Sequence, residues 1–222
     1  MFLPASSVGR KLVMAATGQL MTVFIILHVA GNSTIFFGNL NAYAAGLHSL
    51  WVLLWAVRIV MLPAVILHII YALQLTVENG KARPVDYMKK ENRTSTFAGR
   101  NMIWTGAVIG TFLVYHLLQY TFQVTNPALS AYRNLDEAGR PDVFLMVART
   151  LQQPLIAAVY LLGVTALLLH LSHGIQSSFQ TWGLNGERSF PFIRKGGSAA
   201  ATILWLAYAA IPVTIFTGLL LR

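Results

Sequence analysis

The sequence predicts an all-α membrane protein. It has five transmembrane helices, the first four packed as a bundle, in one domain covering 1–222. Three observations predict this. Hydrophobic residues make up 56% of the chain and charged residues only 10%, against roughly 25% charged in a typical soluble domain. Charge-free runs occupy 12–57, 59–77, 101–132, 150–186 and 196–221. A bilayer crossing calls for about 20 apolar residues in a row, whereas a soluble core does not need such runs. The basic residues collect between the runs, so the net charge of +9 reads as positive-inside loop bias rather than a nucleic-acid surface. Soluble enzyme classes are excluded, membrane lipid is the solvent, and no nucleic-acid partner is expected.

The first helix is expected over 11–37, closed by Gly38-Asn39. Asn39 to Ser49 reads as a polar, uncharged turn. The second helix covers 50–77 and ends at Glu78-Asn79-Gly80. The third covers 100–124, stopped near Asn126-Pro127. The fourth run, 143–182, is too long for one crossing, and Pro154 either kinks it or marks its start. The fifth helix covers 198–221. A long apolar span follows Arg10-Lys11, so no cleavable signal is expected. Neither a soluble domain nor a short-period repeat is evident.

The Lys and Arg distribution orients the chain. One side receives Arg10, Lys11, Lys81, Arg83, Lys89, Lys90, Arg93, Arg100, Arg188, Arg194 and Lys195. The other receives Arg133, Arg140, Arg149 and Arg222. The expected topology is a cytoplasmic N-terminus and an outside C-terminus. On the inside, the sequon Asn92-Arg93-Thr94 carries no meaning.

The chain has no cysteine. That excludes a disulfide framework, a thiolate nucleophile, iron–sulfur ligation and covalent c-type haem. Of six histidines, His28, His68, His116, His170 and His173 lie within spans. Ionisable residues inside a membrane are costly and read as functional by default. The first four helices each carry at least one, and the fifth carries none.

Helical rise places them in depth. His28 lies about 27 Å from Arg10 and His116 about 24 Å from Arg100. His68 lies about 15 Å from Glu78 and His170 about 18 Å from Trp182, both measured from the same inner side. Two histidines therefore stand at an outer level and two at an inner level, each level drawing on two helices. Two bis-histidine haems in the four-helix bundle require this pattern. Neutral imidazole is a good iron ligand. With both axial positions taken, each haem transfers electrons only.

Gly163, Ala166 and Gly174 share the helical face of His170. They leave a groove for a porphyrin or let two helices pack closely. His173 lies one turn from His170, nearer the cytoplasmic edge, where a histidine can donate to a haem propionate or to water. The ligand is expected to be His170, whose face is the smaller, with the Ala166 carbonyl as a candidate acceptor for its second ring nitrogen. Arg58 is the one charge inside a hydrophobic stretch. It meets a haem propionate or snorkels to the outer interface. His48, with Asn41 and Tyr43 in the outer turn, lines a quinone site or is an ordinary interfacial histidine. The rival quinone site is an inner one built from Ser6, Ser7 and Arg10.

The sequence resembles the cytochrome b subunit of succinate:quinone oxidoreductases and fumarate reductases, in the single-anchor, five-helix, dihaem type. The segments that carry the resemblance are Ser6-Ser7-Val8-Gly9-Arg10-Lys11, Ala16-Thr17-Gly18 before His28, Asn41-Ala42-Tyr43, Leu67-His68 with Ala72-Leu73-Gln74-Leu75, and His170-Leu171-Ser172-His173-Gly174 leading to Thr181-Trp182-Gly183. Their order and spacing cover nearly the whole chain. The resemblance implies that His28 and His116 ligate a distal haem b and that His68 and His170 ligate a proximal haem b. It implies a flavoprotein and an iron–sulfur protein docked on the cytoplasmic face of a bacterial inner membrane. Electrons would pass between that pair and a quinone, menaquinone being the expected one. The chain departs from members with intramembrane glutamates: it has Leu168 at one such position and no acid in 12–77.

Two other functions compete. One is a dihaem anchor of a hydrogenase or formate dehydrogenase. The other is a transporter with a histidine relay, which the lack of Asp and Glu inside the spans disfavours.

Overall fold

The computed structural model describes residues 6–82 and 96–221. Arg83, Lys89, Lys90, Arg93, Arg222 and the sequon Asn92-Arg93-Thr94 lie outside the described residues. Among the described residues the chain is helical without a named strand. The one isolated bridge joins Leu135 to Pro141.

Among the described residues eight α-helices follow in order: α1 (Ser7–Asn32), α2 (Leu40–Ser49), α3 (Trp51–Lys81), α4 (Phe97–Arg100), α5 (Met102–His116), α6 (Val143–Leu151), α7 (Pro154–Thr181) and α8 (Phe190–Phe216). Five segments are long and apolar enough to cross a membrane: Ser7–Phe37, Trp51–Lys81, Met102–Thr121, Pro154–Thr181 and Phe190–Phe216. The protein is a multi-pass membrane protein. Helix is the form that closes every main-chain hydrogen bond within the segment, and lipid offers no substitute partner.

Local chemistry sets the boundaries. The Ser6 hydroxyl accepts from Gly9 N–H at 2.9 Å and starts α1. Asp142 caps α6 through Leu145 N–H at 2.9 Å. Pro154 is the first residue of α7, where its missing N–H is no loss. The long run 143–182 is therefore two helices, parted at Gln152-Gln153, and Pro154 marks a start rather than a kink. Three other expectations change. The turn from Asn39 to Ser49 is a short helix, α2, entered through Gly38 at φ 68°. The fifth spanning helix begins at Phe190 rather than 198. The third ends its regular part at His116 and continues as one π-type turn over Leu117–Thr121.

Around the centre, α1 packs against α3 and α7, and α5 packs against α7, while α3 and α5 barely touch. α1 and α5 thus stand diagonally opposite, as do α3 and α7. α8 lies outside this group, packed on α7 and more lightly on α1. Tyr208 of α8 donates to the Ile25 carbonyl of α1 at 2.8 Å. Only 6% of the apolar window of α3 is buried, so its large side chains face lipid. Arg10 clamps Glu78 with two hydrogen bonds of 2.7 Å and ties the start of α1 to the end of α3. At the other end, Asn41 donates to Asp142 at 2.9 Å and accepts from Phe144 N–H at 2.8 Å, which fastens α2 to α6.

Candidate functional site

The histidines of the spans form two pairs. His28 of α1 and His116 of α5 have ring centres 5.9 Å apart. His68 of α3 and His170 of α7 have ring centres 6.3 Å apart. Each pair joins diagonal helices, so both lie in the space the helices enclose. These are the two pairs read from depth. The structure leaves His173 out of them. Its ring lies against Gly99, where an added Cβ would stand 2.9 Å from His173 Cε1, and its buried Nδ1 has no hydrogen-bond partner.

The second nitrogen of each ring decides what the first can do. Thr17 Oγ1 donates to the Val13 carbonyl at 2.8 Å, so it can only accept from His68 Nδ1, 3.2 Å away. The Met14 carbonyl accepts from the same nitrogen at 3.1 Å. In the other half, Thr105 Oγ1 donates to the Asn101 and Met102 carbonyls and accepts from His170 Nδ1 at 3.1 Å. At the outer level, Tyr160 donates to Gln119 Oε1 at 2.8 Å and accepts from His116 Nδ1 at 3.3 Å. In all three rings the proton is therefore on Nδ1 and the Nε2 lone pair is free. That is the tautomer of a metal-ligating histidine with its supporting acceptor.

The spacing fits a shared metal ion. A metal–imidazole bond of about 2.0–2.1 Å on each side, with roughly 1 Å from ring nitrogen to ring centre, sets two axial rings about 6 Å apart. No group of three or more His, Cys, Asp or Glu that could hold a metal occurs among the described residues. Each pair therefore offers two imidazoles, with no third His, Cys, Asp or Glu beside them among the described residues.

Close approach of neighbouring backbones shapes the two sites. A Cβ on Gly18 would lie 3.2 Å from His68 Cε1, and one on Gly106 would lie 3.5 Å from His170 Cε1. Gly163 serves another purpose: a Cβ there would meet the Phe112 ring at 2.5 Å. It lets α5 and α7 pack closely and leaves no groove. Gly174 has open space around it.

The sequence reading missed a signal here. Thr17-Gly18 precedes His28 by the same interval as Thr105-Gly106 precedes His116, and Phe24 and Phe112 stand four residues before each histidine. Leu67-His68 and Leu169-His170 are each followed six residues on by Gln74 and Gln176. α1–α3 and α5–α7 are thus two copies of one pattern at long period, which a search for short repeats passes over. The acceptor for His170 is accordingly Thr105 on α5, matching Thr17 for His68, and not the Ala166 carbonyl.

The other sequence candidates lie elsewhere. Arg58 is exposed, with its guanidinium 5.2 Å from the Trp55 ring centre. His48 is exposed at the end of α2. Tyr43 packs on Gly31, where a Cβ would collide with its hydroxyl. Asn41 is taken up by the loop contacts above. Ser6 caps α1, Ser7 is exposed, and Arg10 is held by Glu78. A polar cavity of about 120 Å³ does lie beside His116, lined by Tyr115, Gln119, Asn126, Thr150 and Gln153 among others. Buried Gln119 reaches Tyr160 with its oxygen, and its Nε2 has no partner.

No protein-family model, curated protein or solved structure matches the chain.

Proposed function

We propose that the protein is a dihaem cytochrome b, in which His28 and His116 would hold one haem b and His68 and His170 a second. The observation that carries the reading is the pairing of four membrane histidines across helix diagonals, at 5.9 and 6.3 Å, with Nδ1 of three of them tied to hydroxyls. When bound, such a group supplies one-electron chemistry. The chain would hold the groups through these four histidines, with Nδ1 of His68, His170 and His116 kept protonated by Thr17, Thr105 and Tyr160. Two such groups would make a path for electrons along the spans.

The sequence resemblance extends the proposal. The chain would be the membrane anchor of a succinate dehydrogenase or fumarate reductase, in a bacterial inner membrane with its N-terminus cytoplasmic. A flavoprotein and an iron–sulfur protein would dock at the end carrying Arg10, Lys81, Arg100 and Arg194, and menaquinone would exchange electrons near the outer haem. The cavity at Gln119 suits a quinone carbonyl better than Arg58 or His48, because its unpartnered Nε2 is a donor.

Pyridine haemochrome analysis of the intact complex tests the proposal, with two non-covalent b haems per chain expected. Redox titration of single variants should then lose one transition for His28→Ala or His116→Ala and the other for His68→Ala or His170→Ala. One haem or none in intact wild type would overturn it. So would loss of the same transition in His28→Ala and His68→Ala.

A further inference from the structure

A second polar cavity lies apart from the histidine pairs. It has a volume of about 270 Å³ and is lined by Thr96, Ala98, Ser172, Gln176, Arg194 and Ser198. Ser172 and Gln176 are set roughly 160° and 120° around α7 from His170. The cavity therefore opens on the outward flank of α7, away from the space between the rings. Its walls are α4 on one side and the first turns of α8 on the other.

The backbone explains why this crevice exists. Buried Gly197 brings α8 against α7, since a Cβ there would stand 3.3 Å from Ile175 Cγ2. Arg194 and Ser198, four apart on α8, are thereby set beside Ser172 and Gln176. Gln176 is buried and its Nε2 is used by the Ser172 carbonyl at 2.9 Å. The Ser172 hydroxyl is used by the Leu169 carbonyl at 2.8 Å.

The remaining donors are unused among the described residues. Arg194 has no ion pair or hydrogen bond there. Thr96 Oγ1 accepts from Gly99 N–H at 3.0 Å, but its own proton has no acceptor. Ser198 Oγ has no partner. One guanidinium and two hydroxyls thus line a cavity to which, among the described residues, no acidic side chain contributes. The cavity lies at the end of the spans that carries Arg10, Lys81, Arg100 and Arg194, and its α7 residues Ser172 and Gln176 turn away from His170. Basic pockets between transmembrane helices at such ends bind anionic headgroups, and the planar guanidinium fork matches phosphate oxygens.

We infer that the crevice between α4, α7 and α8 binds the phosphate of an anionic phospholipid, with Arg194, Thr96 and Ser198 as donors. A glycerol headgroup has a hydroxyl to give to Gln176 Oε1. This site is independent of the haem reading, since it uses none of its residues.

The test is native mass spectrometry of the purified protein with whatever co-purifies, delipidated and returned to dioleoylphosphatidylglycerol or to dioleoylphosphatidylcholine. Phosphatidylglycerol should be retained selectively, with the retained fraction falling about five-fold in Arg194→Gln. It should be largely kept in Arg194→Lys, reduced less in Ser198→Ala, and unchanged in the control Arg188→Gln. Circular dichroism establishes that each variant is folded, and the Ser198→Ala and Arg194→Lys comparison stands if Arg194→Gln is not. Equal retention in wild type and Arg194→Gln would overturn the inference, as would equal retention of phosphatidylcholine. Displacement of the lipid by inorganic phosphate at millimolar concentration would assign the site to a free anion instead. Loss of a protein subunit from Arg194→Gln with lipid retention intact would assign Arg194 to a protein contact and also overturn it.

Discussion

Replacing Thr105 by valine keeps the shape of the side chain and removes the oxygen that accepts from His170 Nδ1 at 3.1 Å. Thr105 is 7% exposed, so water does not readily take the vacated position. The N–H of His170 then keeps only the Met102 carbonyl, the counterpart of the Met14 carbonyl at His68. A net hydrogen bond contributes about 0.5–1.5 kcal/mol between neutral groups and about 1.5–3 kcal/mol to a charged one. With a haem held there as proposed, the imidazole is more positive on ferric than on ferrous iron, so the wild-type bond favours the oxidised state and its loss favours the reduced state, by about 1 kcal/mol. At 59 mV per tenfold for a one-electron couple, that is an upward shift of about 40 mV in one haem potential. Spectroscopic redox titration of the purified protein should show one transition raised by this amount and the other unmoved. Thr105→Ser should restore the wild-type value, and Thr17→Val should move the same transition through His68. Unchanged potentials in Thr105→Val, or a shift confined to the transition lost in His116→Ala, would refute the argument.

Tyr160→Phe removes the acceptor of His116 and the donor to Gln119, so it should shift the other transition by a similar amount and leave the first in place. Gly163→Ala drives a methyl group into the Phe112 ring at 2.5 Å and should cost about 1–3 kcal/mol, read as a lower melting temperature by circular dichroism. Gly46→Ala, with nothing within 4 Å of the added Cβ, should melt no lower than wild type. The outer loop has a pH signature. The Arg140 backbone N–H, and then its side chain, hold the Asp136 carboxyl below its ordinary range. A depressed folded value means that its stabilising contribution is complete above the unfolded value of about 3.9 and is lost as pH falls through the lower folded one. Hydrogen-exchange protection of 130–142, corrected for intrinsic rate, should therefore be flat from neutral pH down to about pH 4 and fall below it. In Asp136→Asn it should be low throughout.

The membrane class and the number of spans were legible in the sequence because lipid imposes one rule on every segment that crosses it. The runs without charge had to be helices, and their lengths had to match the bilayer. The depth of each histidine followed from helical rise alone, since a helix is a ruler of about 1.5 Å per residue. That is why His28 and His116, and His68 and His170, could be paired before any fold was known. Polar loops were less legible. Asn39 to Ser49 has no charge and no strong break, and its helix is held by contacts from Asn41 to residues about a hundred positions away.

The sequence by itself determined an all-helical, multi-pass protein with two levels of membrane histidines. Tertiary structure alone decided which helices stand diagonally opposite and which histidine of the His170–His173 pair faces another ring. It also decided which ring nitrogen is free. Those nitrogens are settled by Thr17, Thr105 and Tyr160, which lie 51, 65 and 44 residues along the chain from their histidines. A hydrogen bond between helices depends on their rotation and distance, which packing sets, and no local pattern encodes a partner so far away. For the same reason Arg58 could be read two ways from sequence. Only the packed helices show it turned outward over Trp55.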